Sequence, residues 1–226
     1  MNWKKHWWKI LGVLLIYFVL VAGFLADVPR LFILNETIRN LFFHVAIWFA
    51  MFVLLIVSVV YAIKYLGKGN PLDDIKSSEF ANVGIFFGLL GILTGSVWAK
   101  FTWGDWWVND PKLNATSISM LIYLAYFILR ASIENPQAKG RISAVYNIFA
   151  FAAAIPLIFI LPRLTDSLHP GNGGNPGFNN YDLDNSLRRI FYPSILGYTL
   201  LGIWFAGIRI RLQKLKEKLN DLELNK

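Results

Sequence analysis

Apolar runs of about twenty residues alternate with short polar stretches along this chain. A hydrocarbon core of roughly 30 Å needs about 20 helical residues rising about 1.5 Å each. Lipid offers backbone N–H and C=O groups no partner, so each run has to be a helix. The runs predict six helices, at about 9–26, 41–65, 80–99, 112–131, 142–162 and 190–210. The expected fold class is all-α: a polytopic membrane protein with one six-helix domain over 1–226. No internal repeat, low-complexity tract or soluble domain interrupts it. The first run, behind Lys4 and Lys5, looks superficially like a signal peptide. No A-x-A site follows it and the next polar stretch leads straight into another span, so it is read as a retained helix.

Charge orients the bundle. Of 22 Lys and Arg, 15 fall in the N-terminus, the second and fourth loops and the tail, and seven fall in the other three segments. Lysine and arginine collect on the cytoplasmic side, so both termini should be cytoplasmic. The net charge of +8 is then topological and calls for no nucleic acid. Only 16% of residues are charged, as a lipid-embedded chain requires. The outward side receives about 27–40, 100–111 and 163–189, and the first and third have room for short interfacial helices. The tail, 208–226, carries Leu212, Leu215, Leu219 and Leu222 at helical spacing. It reads either as a solvated helix at the membrane surface or as a docking helix for a cytoplasmic partner.

Cysteine is absent, which excludes disulfides, thiolate metal sites and a C-x-x-C-H haem attachment. No nucleotide-binding signature, carboxylate pair or Ser/His/Asp set is present, so an ATP-driven step would need another subunit.

The outward segments hold the unusual residues. Trp103, Trp106 and Trp107 fall within five positions, interleaved with Gly104, Asp105 and Asp110, and Trp98 lies just before them. Asp110-Pro111 is a helix start, an N-cap carboxylate followed by proline at the first helical position. The indoles read as an aromatic belt or as a stacking platform for a large flat ligand. His44 lies about 20 residues, or about 30 Å, before Lys64, which puts it at the outer edge of the second helix. An ionisable residue there is a functional candidate. His169, in the third outward segment, supplies a second imidazole on the same face, and haem iron accepts two axial ligands. Outward cations suited to haem propionates are Arg39, Lys112, Arg163, Arg188 and Arg189, with Arg39 singled out by its spacing from His44. For Arg188 and Arg189 ordinary interfacial charge is the stronger reading. His6 sits among lysines on the inner side. The stretch from Gly171 to Gly177 reads as a flexible turn-rich segment and not as a phosphate loop.

These residues resemble the haem-handling WWD family of cytochrome c maturation (CcmC, CcmF and CcsA types), and within it the CcmC type. That motif runs approximately W-G-x-W-W-x-W-D-x-R-L-T. Here Trp103-Gly104-Asp105-Trp106-Trp107-Val108-Asn109-Asp110-Pro111-Lys112-Leu113-Asn114 matches it. Asn109 replaces the third tryptophan, removing a stacking surface. Lys112 replaces the arginine, keeping charge but losing a bidentate fork. The likeness extends through Arg39, His44, His169 and the six-helix layout. It implies a haem-binding transfer protein of the bacterial inner membrane that presents haem b at the outer (periplasmic) face to the haem chaperone CcmE. Implied partners are the ABC transporter subunits CcmA and CcmB and a small CcmD-like subunit. By the same resemblance His44 and His169 are axial ligands, and Trp103, Trp106, Trp107 and Asp110 form the binding surface. No bond-making step is expected. The alternatives are a haem lyase or synthetase component, and a b-type membrane electron carrier or a transporter of another ligand.

Overall fold

The computed structural model describes residues 3–30, 33–169 and 183–224. Six of its helices are long and apolar enough to cross a membrane. Helix α1 is Trp3–Leu25. A 3-10 segment, Asn35–Phe42, follows it and leads into α2, His44–Lys68. Next come α3, Pro71–Trp103; α4, Pro111–Ser132; and α5, Pro136–Ile155. A π-helical turn, Pro156–Ile160, continues α5 into the short α6, Leu161–Leu164. The chain closes with α7, Asn185–Leu224.

Helix α2 is the axle of the bundle. Its Ala46, Ala50, Met51, Leu54 and Leu55 are buried in the core against α3, α5 and α7. Small residues let backbones approach, the usual device where lipid supplies no hydrophobic drive. A methyl group at Gly88 would strike Met51 and Met120 sulfur, and one at Gly202 would strike Leu54. Helices α1 and α7 run antiparallel, with Lys9 beside Trp204 and Gly12 beside Leu200, so both termini share one end. The opposite end carries the 3-10 segment, the tryptophan loop and the start of α7.

Several boundaries differ from the sequence expectation. Helix α3 begins at Pro71, not near 80, because Asn70 accepts from Leu72 N–H as its N-cap. The polar first turns stay helical because partners satisfy them. Asp74 takes a two-pronged pair from Arg130 at 2.8 and 2.7 Å, and Glu79 pairs with Arg209. Helix α5 likewise starts at Pro136, not near 142, capped by Asn135. The tail directly continues α7, which begins earlier than expected, at Asn185. The glycine-rich stretch 171–177 lies outside the described residues.

Candidate haem site at the aromatic end

Three segments of chain build one half of the site around a buried carboxylate. Asp110 is 1% exposed. Its Oδ1 caps α4, accepting from the backbone N–H of Lys112 at 2.9 Å and Leu113 at 3.3 Å. The same oxygen lies 3.1 Å from His169 Nδ1. Its Oδ2 accepts from Ser167 Oγ at 2.9 Å and Leu168 N–H at 2.7 Å. One carboxylate thus caps a helix and docks the 167–169 turn onto it. Burial opposes its charge, but the bonds from His169, Leu168 and Ser167 win, holding the carboxyl well below the usual carboxylate range. The His169 ring meets Trp103 edge to face, with centroids 5.1 Å apart. Trp103 ends α3, and Gly104 turns the chain there with φ +90°, a conformation that favours glycine. A methyl group at Gly104 would meet nothing within 4 Å, so the demand for glycine is the turn itself.

The other half centres on His44, the first residue of α2. Its Nδ1 lies 2.9 Å from Gly91 O and 3.1 Å from Thr94 Oγ1, both on α3. The Thr94 hydroxyl spends its proton on helix carbonyls, 2.9 Å from Leu90 O, so toward His44 it accepts. Both groups facing Nδ1 are therefore acceptors. The proton is assigned to Nδ1, and Nε2 keeps its lone pair. Trp98 and Trp48 flank the ring edge-on, with centroids at 5.7 and 6.2 Å. Trp98 in turn donates to Thr37 Oγ1 at 3.1 Å, and Asn40 Nδ2 donates to Thr94 O at 3.0 Å. These bonds fasten the 3-10 segment to α3 and set the position at which α2 begins.

The two halves share one end of the bundle. Trp98 and Trp103 are five residues apart on α3, about 7.5 Å along its axis. His44 lies within electrostatic reach of both His169 and Lys112. Lys112 lies within reach of Asp110 and Arg163. Beyond them Trp106 and Trp107 are 58% and 42% exposed. Asn109, where the family motif has tryptophan, accepts from Asn114 Nδ2 at 2.8 Å and ties the loop to α4. Arg39 is the residue the structure does not bring into this group. It pairs with Glu36 at 2.8 Å and donates to the α1-end carbonyls of Gly23 and Ala26. Those are the orphan acceptors at a helix C-terminus, so Arg39 caps α1.

Comparison with known proteins decides the kinship. The family model for heme exporter protein C matches residues 1–225. The chain belongs to that family. The heme exporter protein C of Bradyrhizobium diazoefficiens is 27% identical to it, over 84% of this chain and 72% of that one. The Paracoccus denitrificans protein of the same name is 25% identical over 90% of this chain and 83% of its own length. The Escherichia coli K12 protein is 23% identical over 93% and 83%. Family and fold together make this a multi-pass membrane protein of haem export.

Sequence reasoning missed Gly91, Thr94 and Gly95. They form a small-residue face at i, i+3 and i+4 of α3, a signal that reads equally as generic helix packing. Trp98 carries no signal beyond its place beside the motif, and Ser167 none beyond that of a polar loop.

The residues present suit a porphyrin iron. Each imidazole has Nδ1 held by an acceptor, as metal-ligating histidines usually do, which leaves Nε2 as the donor. Lys112, within reach of His44, suits a carboxylate of a haem edge.

Proposed function

We propose that this protein holds haem b at its aromatic end, with His44 and His169 as the axial ligands. The observation that carries the reading is the pair of imidazoles at one end of the bundle, each with Nδ1 engaged and Nε2 unspent. Haem supplies the iron and the flat π surface. The chain's own work is binding and orientation. Trp103, Trp98 and Trp48 wall the imidazoles, while Trp106 and Trp107 offer apolar surface to an incoming partner. Lys112 supplies charge for a propionate, and no covalent step is assigned to any residue. The excess of Lys and Arg at the termini end supports cytoplasmic termini and a periplasmic aromatic end in the bacterial inner membrane. The partner receiving haem is then the chaperone CcmE, with CcmA, CcmB and a CcmD-like subunit completing the machine.

The test is spectroscopic. Purified in detergent, the protein should show a Soret band with about one haem per chain. His44→Ala and His169→Ala should each lower haem content, and the double variant should remove it. Unchanged haem in the double variant would sink the reading.

A further inference from the structure

We propose that Asp110 is a positioning residue for His169: it locks the imidazole in its Nδ1–H form and makes it the stronger of the two iron donors. The haem half of this inference rests on the function proposed above; the imidazole half does not.

A helix cap alone does not explain the geometry. Capping α4 needs one oxygen, and Oδ1 meets Lys112 and Leu113 N–H. The second oxygen is turned to Ser167 Oγ and Leu168 N–H, and Ser167 Oγ itself accepts from His169 N–H at 3.2 Å. The whole 167–169 turn is thereby wrapped on a carboxylate that water does not reach. A buried carboxylate is costly unless fully hydrogen-bonded, and five donors satisfy this one. An ionised carboxylate can only accept, so His169 Nδ1 must donate. Nε2 is then the only nitrogen of that ring able to bind a metal.

The partner of the imidazole matters as well as its tautomer. A carboxylate acceptor pulls the Nδ1 proton and raises the basicity of the opposite nitrogen. His44 has only a neutral carbonyl and a hydroxyl in the corresponding place. Two chemically identical ligands are thus made unequal by what stands behind them. His169 holds the iron harder, and His44 is the ligand that yields first.

The experiment uses the full chain in detergent micelles with ¹⁵N-labelled histidine, first without haem. His169, assigned by its absence in His169→Ala, should show a bare, pyridine-like Nε2 and a protonated Nδ1. In Asp110→Asn, whose amide oxygen keeps both the α4 cap and the Nδ1 contact, the Nδ1–H form should persist with a less basic Nε2, whereas Asp110→Ala should lose the preference while the His44 signals stay in place. Ser167→Ala should leave the tautomer intact. An Nε2–H His169 in the unsubstituted protein overturns the inference, and this measurement does not depend on any Asp110 variant folding. In the haem-loaded protein, added imidazole should displace His44 in preference to His169, and Asp110→Asn should abolish that order and weaken haem retention about tenfold or more. Equal displacement of both ligands overturns the ranking. An Nδ1–H His169 in a protein that never takes up haem would keep the tautomer assignment and refute the proposed function instead.

Discussion

Replacing Gly95 by alanine is the sharpest test of how tightly the His44 pocket is drawn. The added Cβ would sit 2.6 Å from His44 Cε1 and 3.2 Å from Nδ1. Carbon atoms in van der Waals contact stand about 3.5–4.0 Å apart, so the ring has to retreat by about 0.9 Å. Both acceptors of Nδ1 lie on α3, the helix that carries Gly95. Retreat therefore stretches contacts of 2.9 and 3.1 Å toward the limit of about 3.5 Å beyond which no hydrogen bond is credited. Without haem no iron fixes the ring, and the cost is the weakening of those two contacts. With iron bound the ring is held, and it must bear overpacking of about 1–3 kcal/mol. That difference corresponds to haem binding about 5- to 150-fold weaker. The assay is titration of haem into the haem-free protein in detergent, followed at the Soret band. Gly67→Ala, where nothing lies within 4 Å of the new methyl, is the matched control and should bind as the unaltered protein does. An unchanged dissociation constant for Gly95→Ala, with helix content intact, would refute the placement of His44 against the iron.

Arg130→Gln should lower thermal stability by about 1.5–3 kcal/mol, because it strips two charge-assisted bonds from Asp74. A double change with Asp74→Asn should recover part of that loss in a thermal denaturation cycle. Trp106→Ala and Trp107→Ala should move the melting temperature little, since both indoles are largely exposed, yet slow haem transfer to an acceptor protein. Asp110 titrates below the ordinary carboxylate range, so its hydrogen bonds stabilise the fold fully above its unfolded pKa of about 3.9 and are lost only as pH falls through the lower folded value. The stability difference between the unaltered protein and Asp110→Asn should hold from about pH 8 to about pH 4 and shrink in stronger acid. A difference that shrinks already above pH 4 would contradict the assigned bonds.

Much of this architecture can be read from the residues alone, and the failures have physical causes. Six spans follow from apolar runs because lipid leaves the backbone no choice. The start of α3 does not, since Asp73, Asp74 and Glu79 look like loop residues until Arg130 and Arg209, distant in sequence, arrive to pair with them. The capping signals Asn70-Pro71 and Asn135-Pro136 were present but outweighed by hydropathy. In the site, His44, Trp103, Asp110 and His169 declare themselves by type and by side. Their joinery does not. Nothing local to Asp110 says that its second oxygen will reach Ser167, and Gly95 owes its meaning to a ring on another helix. Arg39 shows the converse, because a cation suited to a propionate is equally suited to the open carbonyls of a helix end.

Helix α7 runs unbroken for 40 residues, about 60 Å at the usual rise, with Pro193 as its single internal proline. Near one end Leu187 and Phe191 share a buried cluster with Phe42, two places ahead of His44. At the other, Leu212, Leu215, Leu219 and Leu222 stand exposed in a stripe. The helix is thus one continuous element that joins an exposed leucine stripe at one end of the bundle to the packing around Phe42 at the other.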